Sequence, residues 1–404
     1  MRSTPFTLLC YAATALAANF NLIKEYAGST FFDDWDYYGH WDNLMNGNVI
    51  FVNKTNATNL AYVAPSGHAI LTVDNTTVVP QNFPRNSVYI SSQDYFEIGT
   101  VFVVDVVHMP WGCSVWPAIW TKGTDWPANG EIDILEGVNR MTYNQMALHT
   151  NEGCSAAANT DQTGTPGAGP ACWPKSGCTV KENTPNSFGD AFNSNGGGVW
   201  AMQFDVSGVF IWFWQRNEIP TSISSASSTS GLDISSWGPP SAAYPSGPTC
   251  NISQHLGPQQ LVIDITLCGD WAGANTTYAQ TCGNITYNAC YLTNVIEQGT
   301  YDDAWFEISY IRVFGLSDDA VVPESAINGS TSVSGATTPT GGSTATPGGP
   351  TSDSPGGGST GGSTGGSGGT SDKTQTGGAQ TDIVLVPTVL TAVAAALAFL
   401  GLLL

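Results

Sequence analysis

Basic residues are scarce in this chain. Its 404 residues hold 11 Lys and Arg against 32 Asp and Glu, a formal net charge of −21 at pH 7. No cationic surface is available to neutralise a phosphate backbone, which excludes nucleic acid as a partner. Charge of either sign is thin: 11% of residues, under half of the roughly 25% usual in globular proteins. The surface must therefore be built largely from Ser, Thr, Asn and Gly. Sustained helical periodicity is also missing, and 46 Gly with 23 Pro make the chain too turn-rich for a helical bundle. Aromatics at 11% argue against wholesale disorder. There is no His-Glu-x-x-His and no Cys-x-x-Cys, and His40, His68, His108, His149 and His255 are scattered, so neither a metal nor a cofactor is expected for the chemistry. A structural calcium held by oxygen ligands away from any cleft stays open.

The two ends carry processing signals rather than fold. Residues 1–17 combine Arg2, an apolar run from Phe6 to Leu16 and the small-x-small Ala15-Leu16-Ala17, the pattern of a cleaved secretory signal; a short N-terminal anchor is the alternative. Its removal takes away Cys10 and leaves an even set: Cys113, Cys154, Cys172, Cys178, Cys250, Cys268, Cys282 and Cys290. An even set suits disulfides in an oxidising compartment, with the connectivity open among 105 pairings. Sequons at Asn53, Asn56, Asn75, Asn251, Asn275, Asn284 and Asn328 agree with the secretory route as N-glycosylation sites. From 317 to 382 the chain is a linker, almost wholly Gly, Ser, Thr and Pro between Gly329 and Ser371, with nothing to bury. No Gly-Lys-Ser/Thr occurs there, so it is not a phosphate-binding loop. The charge-free run 383–404 ends the chain with no basic residue after it, and small residues around Gly368-Gly369-Thr370 precede it. That is the form of a removable GPI signal; a retained tail helix is the alternative. The expected location is the outer face of the plasma membrane or the cell wall.

Residues 18–316 remain as one large domain. Extended runs at 69–73, 87–91, 101–108, 199–205, 209–214, 260–267 and 305–314 are rich in Val, Ile, Phe and Trp and separated by turn residues. Ser207-Gly208 reads as a hairpin turn. Leu261, Ile263, Ile265 and Leu267 alternate with Val262, Asp264, Thr266 and Cys268, giving one core face and one mixed face. An all-β sandwich of two antiparallel sheets follows, with long loops at 151–197 and 218–258 laid outside.

Gly130-Glu131-Ile132-Asp133-Ile134-Leu135-Glu136-Gly137 is the most informative stretch. A strand here puts Glu131 and Asp133 on one face and both isoleucines on the other. Glu136 has the wrong parity and would point among the isoleucines, where an unpaired charge is costly. A one-residue β-bulge near Ile134 or Leu135 returns it to the acidic face. Three like charges on one face repel, so stability does not select them. Two carboxyls about 5 to 5.5 Å apart are the machinery of retaining glycoside hydrolysis, with one attacking the anomeric carbon and one protonating the leaving oxygen. Asp133 between them can orient the nucleophile and raise the proton affinity of the acid. A solvated acidic face, or a calcium site made of the same oxygens, are the non-catalytic readings. Trp111, Trp116, Trp120 and Trp126 crowd the preceding residues and Trp271 stands further on; aromatic faces stack on pyranose rings, though for any one Trp core packing is the simpler account. Trp212 and Trp214 lie in a run apolar on both faces and read as core.

Three separated motifs carry a resemblance: Gly112-Cys113-Ser114-Val115-Trp116-Pro117-Ala118-Ile119-Trp120, the acidic stretch, and Cys268-Gly269-Asp270-Trp271-Ala272-Gly273. In that order they resemble fungal endo-1,3(4)-β-glucanases of glycoside hydrolase family 16, over about Asn19 to Phe314. The resemblance implies a jelly-roll sandwich with a concave substrate cleft and retaining endo-hydrolysis of β-1,3 or mixed β-1,3/1,4 glucan; a monomer is expected. It also implies Glu131 as nucleophile, Asp133 as assisting carboxylate, Glu136 as acid/base and His149 beside the acid/base. Tyr89 stands where similar enzymes have an arginine, Phe204 replaces a common tryptophan, and residues 39–46 depart from the usual turn. A transglycosylase and a non-catalytic glucan-binding wall protein are the competing functions. The scarcity of bases points to an acidic pH optimum.

Overall fold

The computed structural model describes residues 19–329 apart from 228, 229, 284, 285, 287 and 298. The signal segment, most of the linker, the C-terminal apolar run, Asn284 and the Asn328 side chain lie outside the described residues.

Two large sheets account for most of the strands, and the neighbours within each are antiparallel. One runs in the order Thr165–Pro166, Cys178–Lys181, Gln145–His149, Glu131–Glu136, Val115–Lys122, Gln259–Leu267, Tyr89–Phe96 and Trp35–Tyr37. The other runs Leu232–Asp233, Asn19–Ala27, Trp305–Gly315, Thr100–His108, Gly198–Asp205, Gly208–Gln215 and Ala242–Pro245. Between them lies the principal core, with Ile119, Ile132, Ile134, Ile263 and Leu261 of the first sheet and Phe102, Val104, Trp200 and Met202 of the second, all buried. Alternation explains the choice of faces: residues of one parity meet the opposite sheet, and those of the other are left to the outer surface.

Four adjustments to the sequence reading have physical causes. The hairpin turn is Val206-Ser207, since Gly208 pairs with Asp205 and the Asp205 carboxylate accepts from the Ser207 N–H. The run 87–91 divides between Arg85–Ser87, which pairs in parallel with Val49–Phe51, and Tyr89–Phe96 in the large sheet. The mixed face of Gln259–Leu267 is buried throughout, with Asp264 accepting from Trp120 Nε1 and Thr266 donating to Asp42. The ordered chain also outruns the boundary at 316. Val321–Pro323 adds antiparallel to Asp94–Phe96, and Glu324–Gly329 is helical. Pro323 closes that short strand, having no N–H for a ladder.

The long loops are not featureless. The segment 151–197 contributes Thr165–Pro166, Cys178–Lys181 and the helix Gly189–Ser194, while Ile219, Ile223, Leu232 and Trp237 cover the outer face of the second sheet. Trp212 is buried there and Trp214 half-buried, edge-on to Trp237, so both belong to a second, outer core rather than the inter-sheet one. All eight cysteines among the described residues pair, as Cys113–Cys282, Cys154–Cys250, Cys172–Cys178 and Cys268–Cys290. Of the sequons, Asn53, Asn56, Asn251 and Asn275 are exposed, whereas half-buried Asn75 spends its amide on Asp302 and the Tyr301 N–H.

Candidate active site

The acidic strand Glu131–Glu136 occupies the middle of its sheet, between Val115–Lys122 and Gln145–His149. Glycines set its limits. Gly130 has φ +77°, and a Cβ there would meet Leu256 at 2.6 Å; a Cβ at Gly137 would meet the Phe188 ring at 2.6 Å. Larger residues fit at neither end.

The strand is bulged. Asp133 faces Trp120 and Leu135 faces Ile119, so Ile134 is the extra residue and Glu136 falls opposite Ala118. Glu131, Asp133 and Glu136 therefore share a face with Lys122, Trp120, Ala118 and Trp116. A bulge leaves backbone groups without ladder partners, and pairing to Gln145–His149 stops at Asp133–Ala147. Asn144, fully buried, takes up the loose ends. Its Nδ2 donates to the Ile134 carbonyl (2.8 Å) and its Oδ1 accepts from the Glu136 N–H (2.9 Å). The Asn144 backbone is itself held by Ser187 Oγ and by the Glu182 N–H. Nothing in the sequence marks Asn144 for this task, since its partners are set by register.

The carboxyls differ in their partners. Glu131 Oε2 accepts from Trp126 Nε1, and Glu131 Oε1 lies 3.7 Å from His149 Nε2, its cross-strand neighbour. His149 Nε2 is closer to Asp133 Oδ2, at 3.1 Å. Glu136 Oε1 accepts from Trp116 Nε1 at 2.8 Å. His149 thus sits with Glu131 and Asp133, and it lies close enough to Glu136 for its charge to favour the ionised form of that carboxyl as well. Burial, reinforced by the charge of Asp133, pushes the Glu131 carboxyl up to about 8, against the pull of His149 and Trp126. Burial also raises Asp133, and it holds Glu136 well above the carboxylate range, again with the Asp133 charge adding to the effect. Such a cluster cannot ionise completely near neutrality, so a protonated carboxylic acid and a carboxylate coexist in it. Glu131, Asp133 and His149 also bring one donor atom each to within 4.8 Å of one another, a set able to bridge a divalent cation.

The tryptophans divide. Trp116 and Trp126 reach the two glutamates with their indole N–H groups, and Trp271 stands edge-on to Trp116 at 5.5 Å between ring centres. Trp120 donates to Asp264 Oδ1 at 2.8 Å. Trp111 is directed elsewhere: its N–H bonds to the Met141 carbonyl, and its ring lies against Arg140 and Gly189. Asp264 and Lys122 join the site without having been singled out by the sequence reading. Asp264 is fully buried, and burial keeps its carboxyl well above the ordinary range. Its signal was present as a lone acid inside an apolar strand. Lys122 donates to Tyr89 Oη at 3.1 Å, so Tyr89 is part of the same floor.

Residues 35–314 match the family model described as XgeA-like, catalytic GH16 domain. Among curated relatives, a probable glycosidase of Schizosaccharomyces pombe is 38% identical over 274 residues, covering 66% of this chain and 63% of the relative. The endo-1,3(4)-beta-glucanase of Emericella nidulans is 34% identical over 316 residues, covering 76% of this chain and 49% of the relative. The chain thus spans between about half and two thirds of the length of these relatives. Among solved structures, a complex of the GH16 laminarinase 16A of Phanerochaete chrysosporium with 6-O-glucosyl-laminaritriose superposes with a TM-score of 0.67 at 34% identity, covering 74% of this chain and all of the other. An elongating GH family 16 beta-1,3-glucosyltransferase superposes with 0.66 at 35% identity, covering 73% of this chain and 99% of the other.

Proposed function

This chain belongs to glycoside hydrolase family 16, and from that premise we propose that it is a retaining endo-β-glucanase acting on β-1,3 or mixed β-1,3/1,4 glucan. The observation that carries the reading is the bulge at Ile134, which turns Glu136 onto the face of Glu131. In this scheme Glu131 attacks the anomeric carbon while Glu136 gives its proton to the departing glycosidic oxygen. A glycosyl ester on Glu131 results, and Glu136, now ionised, takes a proton from the water that hydrolyses it. Trp126 Nε1 and His149 stabilise the ionised form of Glu131. Asp133 and burial keep Glu136 protonated until the bond breaks. Trp116 and Trp271 supply aromatic surface beside the acid, and Trp126, 52% exposed, supplies it beside the nucleophile.

Transfer to a second glucan chain in place of water is the second reading. It is favoured by the likeness to the elongating glucosyltransferase, and the first chemical step is the same. Secretion and a GPI-anchored site of action at the cell surface belong to the proposal too, supported by the four disulfides and by the terminal sequence signals.

The test is time-resolved product analysis on laminarin and on mixed-linkage glucan with a labelled acceptor. Internal cleavage giving short oligosaccharides is expected, and labelled elongated products would establish transfer. Glu131→Gln should abolish turnover by at least about 10³-fold. Glu136→Ala with azide should yield a β-glycosyl azide. An unchanged rate in either variant would defeat the assignment.

A further inference from the structure

The family match ends at residue 314, but the ordered fold does not. Val321–Pro323 extends the cleft-bearing sheet, and the register shows what it joins. Glu131 pairs with Lys122, Lys122 with Gln260, Gln260 with Tyr95, and Tyr95 with Val322. These form one row across five adjacent strands, running from the proposed nucleophile to the added strand, about 19 Å at the usual strand spacing. At the far end of the row is a cavity of about 440 Å3, within the size range of ligand sites. Trp126 and Lys122 line it from the side of Glu131, so it is continuous with the cleft. Tyr37, Tyr38 and Asp36 line it from the edge strand and its continuation, and Glu324, the first residue of the C-terminal helix, closes it.

The lining is chemically specific. It has aromatic rings for the C–H faces of a sugar, and carboxylates and an ammonium for its hydroxyls. Lys122 is half-buried, with its ammonium lowered by burial and its charged form favoured by Asp264, Glu131 and Glu324. A compensated cation of this kind suits a neutral, hydroxyl-rich ligand better than an anion.

We propose that Glu324 and the strand Val321–Pro323 complete a distal glucan subsite, which binds a sugar unit of the substrate chain several residues from the cleaved bond. This rests on the functional reading above and adds to it a determinant of chain length outside the shared family domain. A chain long enough to cross the row gains the contact, and a short oligosaccharide does not reach it.

Calorimetric titration of the inactive Glu131→Gln protein with laminaritriose and laminariheptaose tests this, with and without Glu324→Ala. The expected result is that Glu324→Ala shrinks the heptaose-to-triose affinity ratio about 5- to 10-fold, the size of one ordinary net hydrogen bond. In the otherwise native enzyme, the corresponding kcat/KM ratio should fall alike through KM. A ratio unchanged in both measurements overturns the subsite. If Glu131→Gln binds no glucan and the native chain cleaves none, the functional reading itself fails. If glucan is bound or cleaved but the length dependence ignores Glu324, only the present proposal fails. Thermal unfolding of Glu324→Ala at an unchanged midpoint is expected, because the side chain is partly exposed at a helix start.

Discussion

At the residue scale the decisive side chain is one without charge. Asn144 offers a donor and an acceptor on one rigid amide, and the bulge at Ile134 needs one of each. Ala at this position leaves the Ile134 carbonyl and the Glu136 N–H buried without partners, at a cost of about 1–3 kcal/mol apiece. Asn144→Ala should therefore lower the unfolding midpoint by several degrees. It should also reduce kcat more than it changes KM, because Glu136 is held by its own backbone. Asn144→Asp can still accept from Glu136 but, when ionised, cannot donate to Ile134, and it places a charge beside the acid. Its upper pH limb should move to higher pH, measured as kcat/KM against pH. Equal losses in kcat and affinity, with no change in profile, would reduce Asn144 to a packing residue.

At the scale of the element, parity governs. Counting along the strand, an extra residue after Asp133 would push Glu136 into the core, and the bulge absorbs that residue. Deleting Ile134 makes the strand regular and still leaves the second glutamate on the acidic face. Inserting an alanine beside Ile134 also restores the parity, but it moves Glu136 from opposite Ala118 to opposite Trp116, about 7 Å further from Glu131. The deletion should retain measurable glucanase activity, whereas the insertion should remove it and destabilise the fold, by rate assay and thermal unfolding. An insertion as active as the deletion would mean that the face alone, and not the spacing of the two carboxyls along the strand, sets the chemistry. The same accounting separates Trp116 and Trp120, which keep the parity of the acidic face, from Trp111, which precedes the strand and packs elsewhere.

Across the whole molecule, the buried acids tie stability to pH. Glu131, Asp133, Glu136 and Asp264 all titrate above their ordinary values in the fold, chiefly because burial disfavours the charged form. The folded state therefore holds more protons than the unfolded chain, whose carboxyls titrate near 4. The stabilisation is complete below about pH 4 and is lost as pH rises toward the value of about 8 seen for Glu131. The unfolding midpoint should thus fall between about pH 5 and pH 8, and Asp264→Asn should flatten the decline. A midpoint rising over this window would contradict the burial argument.

Sequence alone determined the two-sheet class, the boundaries of most runs other than 87–91, the acidic cluster and the need for a kink within it. Each of these depends on alternation between neighbouring residues, which is local and survives without a partner strand. The disulfide pairing, the side of the cluster on which His149 stands, the bracing by Asn144 and the joining of Glu324 to a cavity shared with Trp126 were decided only by the tertiary structure. These follow from which strands lie side by side and in what register, and residues far apart in the chain carry no local trace of that pairing.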